Sequence, residues 1–277
     1  MQRETVRDNS IFVLFLALIA VFLSPILIVV MNSFKGKFYI SDAPFKLPDS
    51  TTYVGLENYV SGLEKTNFFN AFGMSLFITV FSVAVIVWLT AMTAWYITRV
   101  KSRFSKMLYF SFVFSMIVPF QMVMFTMTKV ANVLNLDNPL GIIIIYLGFG
   151  CGLSVFLYSG FVKSIPIEIE EAVMIDGGNP REMFFKVVFP ILKPIAITVA
   201  ILNVMWIWND YLLPYLVIGT EYKTIPIAIQ YLKGGYGSID MGAMMAMLVL
   251  AIVPVVVFYL FCQRYIIEGV VAGAVKG

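Results

Sequence analysis

The chain contains no histidine, and that absence removes the commonest general base and metal ligand at once. Cysteine is nearly absent too. Cys151 and Cys262 both fall inside apolar runs, so neither a disulfide framework nor a cysteine metal site is indicated. No GxxxxGK[ST] phrase or other phosphate-cradling loop occurs, which places any nucleotide chemistry on another protein. Charge is scarce at 13% of residues, about half the share expected of a soluble domain. The net charge of +3 is small and unevenly placed, which points to membrane orientation and gives no support for binding nucleic acid. What fills the chain instead is apolar: 60% of 277 residues, with a mean hydropathy of +0.91. This is the composition of an all-α integral membrane protein.

A helix needs about twenty apolar residues to cross a bilayer core. Six stretches qualify, roughly 11–31, 71–98, 107–128, 140–162, 195–218 and 241–262. The first is longer than a signal-peptide core, follows Arg3 and Arg7 and lacks a small-x-small cleavage site, so it reads as a retained signal anchor. Arg99, Lys101, Arg103 and Lys106 crowd one short turn without an acidic residue, and the positive-inside rule puts that turn in the cytoplasm. Both termini and the loop 163–194 are then expected on the cytoplasmic side, in a single transmembrane domain spanning 1–277.

That loop is the polar interruption around which the apolar runs are arranged. Pro166 opens a helical pattern with Glu168, Glu170 and Glu171 in its first turns, where carboxylates complement the helix dipole. Gly177 and Gly178 stop it. Asn179-Pro180-Arg181-Glu182 then reads as an N-cap, a first-turn proline and a capping-box glutamate. A second helix carrying Phe184, Phe185, Val187 and Val188 is expected to end before Pro190 and Pro194. The first helix, with Ile169, Ala172, Val173 and Ile175, suits a groove on a partner protein; a helix that merely caps the bundle is the alternative.

Glu171-Ala172, Asp176-Gly177, Pro190 and Pro194, in that order, resemble the cytoplasmic "EAA" loop of permease subunits of binding-protein-dependent ABC importers. Val173 stands where a second alanine is usual, and Phe189 where leucine commonly precedes the proline. The likeness extends over nearly the whole chain. Tyr53-Val54-Gly55-Leu56-Glu57-Asn58-Tyr59, the WNDYLLP phrase and the ending from Gln263 to Gly277 are similar to the carbohydrate-uptake subfamily related to the six-span maltose permease. The resemblance implies a bacterial cell-membrane subunit that hydrolyses nothing itself. It implies a second homologous permease, a cytoplasmic ATPase dimer carrying ATP and magnesium, and an external sugar-binding protein. It also implies that Glu170, Glu171, Ala172, Asp176, Gly177, Gly178 and Pro190 couple to the ATPase.

Polar groups within apolar spans are costly and raise the question of a substrate path. Asn203, Trp206, Trp208, Asn209, Asp210 and Tyr211 in the fifth stretch, and Gln121 in the third, offer aromatic faces and paired hydrogen-bonding groups suited to sugars. The structural alternative is that Asn209 and Asp210 cap a broken helix ahead of Pro214, with the aromatic rings at the membrane interface. The five glycines of the fourth stretch, among them Gly150 and Gly152, suggest close helix packing. Another small polar solute as cargo is the nearer alternative, and an ATP-independent secondary transporter the more distant one. Asp210 is the single acidic residue expected within a span, which leaves the latter little to couple ions with.

Overall fold

The computed structural model describes residues 2–232 and 239–274; for 2–10 and 266–274 only the backbone is described. Val275, Lys276 and Gly277, the end of the carboxyl-terminal phrase, lie outside them. Among the described residues the chain is helical, with one isolated antiparallel bridge between Lys35 and Tyr53. Four helices are long and apolar enough to cross a membrane: α1 (Gln2–Asn32), α4 (Phe68–Arg99), α7 (Gly141–Val162) and α14 (Met241–Ala274). Two bent pairs bring the possible number to six: α5 (Arg103–Ile117) with α6 (Phe120–Val133), and the segment Pro180–Ile191 with α11 (Lys193–Asn209).

The chain divides into two compact units, 1–69 with 228–256, and 70–227 with 257–277. In the first, the segment after α1 folds into α2 (Lys37–Asp42) and α3 (Glu57–Thr66). Asn58, from the GLxNY-like phrase, is buried and donates to the Ser33 and Lys35 carbonyls at 2.8 and 2.7 Å, so the phrase pins its helix to the end of α1. Lys35 is buried as well. Its ammonium donates to the Ala43 carbonyl at 2.8 Å, and burial lowers its pKa. Gly62 lets the Met247 and Ala243 region of α14 approach where a Cβ would meet Met247 Cε at 2.7 Å.

The second unit is built on α4 and α7. Ile86, Tyr146, Val155, Tyr158, Phe184 and Leu192 form the middle of its core. Glycine admits neighbours to α7: a Cβ on Gly150 would lie 2.7 Å from Ile86 Cδ1, and one on Gly152 would lie 2.8 Å from the Phe112 carbonyl of α5.

Two of the six apolar stretches are interrupted, and one sequence expectation is corrected. The stretch 107–128 is not one continuous helix: α5 and α6 meet at 109°, because Val118 precedes a proline and takes an extended ψ of 114°. The stretch 195–218 breaks at Asp210, and α12 (Leu212–Val217) starts afresh beyond it, which is the broken, capped helix that the sequence offered as its structural alternative. The helix after Asn179 does not stop before Pro190. After α9 (Pro180–Glu182) it widens into a π-turn over Met183–Val188, in which the Phe189 N–H reaches back to the Phe184 carbonyl, and it continues as α10 (Phe189–Ile191). Widening the helix is a way to carry a proline, which neither donates a backbone bond nor fits against a regular preceding turn.

Candidate functional site

The loop between α7 and α11 begins with α8 (Ile167–Ile175), and its side chains divide between two tasks. Glu170 turns inward and is 5% exposed. One carboxylate oxygen accepts from Arg99 Nε at 2.7 Å and is ion-paired with Arg99 Nη2 at 2.7 Å, and the other accepts from Trp95 Nε1 at 3.0 Å. Arg99 Nη2 also donates to the Ile165 carbonyl at 2.9 Å, so one guanidinium holds both the entry to α8 and its middle. The further bonds from Trp95 and to the Ile165 carbonyl are of the kind that make burial of such a charged pair tolerable.

The opposite side of α8 is free. At about 100° per residue, Glu168, Ala172 and Ile175 point away from Glu170, and all three are exposed. Ile175 is 85% exposed and Met174 63%. Glu171 is exposed beside them.

The helix ends in a complete Schellman motif. The Gly177 N–H donates to the Met174 carbonyl at 3.1 Å and the Gly178 N–H to the Val173 carbonyl at 2.9 Å, with Gly177 at φ +81°. A Cβ on Gly178 would meet Val173 Cγ1 at 2.7 Å. Asp176 stands exposed as the last residue before the turn. Asn179 caps the next helix by accepting from the Glu182 N–H at 3.0 Å, and its side-chain amide donates to the Glu182 carboxylate at 3.0 Å. The Lys186 ammonium, 2.8 Å from that carboxylate, and the Asn179 backbone N–H hold the Glu182 pKa below its ordinary value.

Beyond the cap, aromatic rings fix the π-turn to α4. Phe189 stacks on Trp88 at 4.0 Å between centroids, and Phe184 lies 5.5 Å from Trp95. Pro190 itself is exposed. Trp88, Trp95 and Arg99 are spaced by seven and four residues and so share one face of α4, on which the loop is seated.

The residues expected along a substrate path separate into two groups. Asn203 is buried, donates to the Val199 carbonyl at 2.8 Å and to Ser154 Oγ at 3.3 Å, and serves helix packing. Trp208 is 7% exposed, edge-on to Phe72 at 5.7 Å. Asp210 caps α12 by accepting from the Leu212 and Leu213 N–H groups at 3.1 and 3.4 Å, and its second oxygen accepts from the Tyr146 hydroxyl at 3.1 Å. Gln121, Trp206 and Asn209 are exposed; Asn209 donates to the Met205 carbonyl at 2.7 Å. Tyr211 is half-buried and stacks on Tyr215 at 5.3 Å. Tyr146, edge-on to Trp206 at 5.4 Å and bonded to Asp210, joins this cluster although no sequence pattern connects it to the fifth stretch. Arg99, Trp95 and Trp88 were missed as partners of the loop for a similar reason: only their common spacing on α4 signals a shared surface. Among the described residues no group of histidine, cysteine, aspartate or glutamate is arranged to hold a metal ion.

Comparison with known proteins bears on both regions. The family of binding-protein-dependent transport system inner membrane components matches residues 86–271. The chain is 38% identical, over all of both proteins, to a protein described as a probable starch degradation products transport system permease protein, AmyC of Thermoanaerobacterium thermosulfurigenes. It is 34% identical over 92% of both chains to the multiple sugar-binding transport system permease protein MsmG of Streptococcus mutans. A chain from the crystal structure of a bacterial ABC transporter that imports the acidic polysaccharide alginate shares the fold, with a TM-score of 0.78, 21% identity and coverage of 96% and 98%. The match over residues 86–271 includes the α8 loop and the α11–α12 break, and the chain belongs to the family of binding-protein-dependent transport system inner membrane components.

Proposed function

We propose that this protein is a membrane permease subunit of an ATP-driven importer for a carbohydrate, an oligosaccharide or sugar derivative, and that α8 with its glycine turn is the surface through which a separate ATPase drives it. The relatives described as permeases for starch degradation products and multiple sugars support the cargo class. The observation that carries the coupling role is the division of α8: Glu170 is fastened to α4, while Ala172 and Ile175 on the opposite side are exposed. Burying an isoleucine side chain is worth about 1.5–3 kcal/mol, so an exposed one on a short rigid helix is a ready anchor for a groove.

In this reading α5 with α6 forms one span and α11 another, giving six, and both termini and the α8 loop, with its segment Pro180–Ile191, lie in the cytoplasm. A second homologous permease completes the pathway, an external sugar-binding protein delivers the cargo, and ATP and magnesium reside on an ATPase dimer. A relative of the same fold was crystallised with a pentasaccharide-bound periplasmic protein, which supports the delivery step. Glu171, Ala172, Asp176, Gly177 and Gly178 form the coupling surface, and Glu170 and Pro190 position it. Force on α8 reaches α4 through Arg99, Trp95 and Trp88. Such a contact shifts the transport equilibrium only if its energy differs between the inward- and outward-open states. Gln121, Trp206, Asn209 and Tyr211 are the path residues left free to meet a sugar; Asn203, Trp208 and Asp210 hold the frame around them.

The test is disulfide crosslinking of Ala172→Cys to single cysteines on the candidate ATPase, in membranes containing both permeases and with Cys151 and Cys262 replaced. The expected result is a crosslink whose yield changes with nucleotide. An assembled, transporting complex that gives none would remove α8 from the motor contact.

A further inference from the structure

Where the ends of α4 and α7 meet the start of α5, the second unit forms an open, surface-reaching pocket of about 440 Å³. Lys101, Arg103, Lys106 and Lys163 line it, and no carboxylate does. None of these four cations makes an ion pair among the described residues; Lys163 instead lies over the Tyr109 ring at 5.5 Å. Apolar atoms of Ile97, Val100 and Tyr109 supply much of the remaining wall.

Two hydroxyls in the same cavity are unusual. Many hydroxyls in these helices bond back to their own backbone, as Ser154 does to the Gly150 carbonyl at 2.7 Å and Thr90 to the Ile86 carbonyl at 2.5 Å, although the buried Ser82 and Tyr158 hydroxyls, which do not line this pocket, lack partners. Ser159, one per cent exposed on α7, and Thr98 on α4 line the cavity, yet their hydroxyls have no hydrogen-bond partner among the described residues. A buried hydroxyl without a partner costs about 1–3 kcal/mol, so an occupant that accepts from it recovers that cost. The first turn of α5, capped at Ser102 by a bond to the Ser105 N–H at 3.0 Å, adds the positive end of a helix to the same place.

We infer that this cavity is a binding site for a phosphate group, and specifically for the headgroup phosphate of an anionic phospholipid. Four unpaired cations fix the sign of the charge. The unpartnered hydroxyls offer donors to the oxygens of such a group, and the apolar wall, beside spans that lead into the bilayer, favours a phosphodiester carrying acyl chains over a free ion. The site uses none of the path residues and touches the α8 loop only at its first residue, Lys163. Its placement in the inner leaflet rests on the orientation proposed above; the chemistry of the cavity does not.

The experiment uses the assembled importer in phosphatidylcholine nanodiscs containing a photoactivatable phosphatidylglycerol, with label mapped on this chain by peptide mass spectrometry. Label should concentrate in the peptides spanning residues 97–109 and 159–163. Lys106→Glu should lower it there at least fivefold, about the effect of one basic residue beside an anionic surface. Ser159→Ala, which keeps every charge and the thermal stability of the complex, should lower it about fivefold, the effect of one lost hydrogen bond. Label unmoved by Ser159→Ala, or equal label from a photoactivatable phosphatidylcholine, would overturn the site. Loss of label on adding millimolar inorganic phosphate would overturn the lipid and assign the cavity to a soluble ion. Sugar uptake and ATP hydrolysis, measured on the same preparation, separate this result from the transport reading: normal transport without label defeats only the lipid site, and label without ATP-driven transport defeats only the proposed function.

Discussion

At Glu170 one carboxylate serves two partners of different chemistry, a guanidinium and an indole, both from α4. Removing it leaves Arg99, whose side chain is 17% exposed, with an unpaired charge in a sheltered position. Glu170→Ala is therefore expected to destabilise the second unit by about 3 kcal/mol. A fall in the thermal midpoint of the purified complex would measure it, while a change smaller than that of a surface substitution would show that the pair is not structural. Asp210 calls for a different pair of variants, because its two roles separate chemically. As a cap it needs only an acceptor, which asparagine supplies; as a charged ligand for a solute it needs the carboxylate. Asp210→Asn should keep stability and sugar uptake near wild type, whereas Asp210→Ala should lose about 1 kcal/mol from the cap. Loss of sugar affinity in Asp210→Asn, with stability intact, would return Asp210 to the substrate path.

The α8 turn shows what can be read at the scale of an element and what cannot. Two adjacent glycines followed by Asn-Pro-Arg-Glu specify a helix stop and a helix start by local chemistry, and that geometry is what the chain adopts. Six apolar stretches were equally legible, but their continuity was not. Val118-Pro119 carries a local signal for a bend, yet the size of a 109° turn depends on what α5 and α6 pack against. Pro190 misled in the opposite direction, because a π-turn absorbs a proline that a regular helix rejects, and the support for that turn comes from Trp88 and Trp95, nearly a hundred residues earlier. Two expectations follow. Gly177 occupies the left-handed region, where a branched side chain costs about 1–2 kcal/mol and asparagine much less. Gly177→Val should then reduce uptake at normal expression, and Gly177→Asn should restore most of it; equal uptake in all three proteins would mean that the turn geometry is irrelevant to coupling. The second concerns pH. The Glu182 carboxyl is lowered in the folded loop, so its contribution is present above the unfolded carboxylate pKa of about 4.3 and is lost as pH falls through the folded value. A spin label at Arg181→Cys should become more mobile over that range, and Glu182→Gln should abolish the transition.

For the whole molecule, the decisive comparison is between what a residue does for this chain alone and what it does in the assembled importer. Ile175, 85% exposed, and Met174, 63% exposed, leave most of their side chains unburied within the second unit. Replacing both with serine should leave the stability of the permease within about 0.5 kcal/mol, as for an ordinary surface change. If α8 seats in a groove of the ATPase, the same double change removes the apolar area that holds it there, and about 1.5–3 kcal/mol for each side chain fully buried in that contact is lost. A cost of that size falls on assembly or on the state that grips α8 more tightly, and it should appear as reduced sugar uptake per ATP hydrolysed, with α4, α8 and their Glu170–Arg99 link unchanged. The outcome is read by copurification of the ATPase with the permease and by the ratio of uptake to hydrolysis in the same vesicles. A variant that copurifies fully and transports with an unchanged ratio would show that these side chains face lipid or water in the working complex, and that the motor takes hold elsewhere.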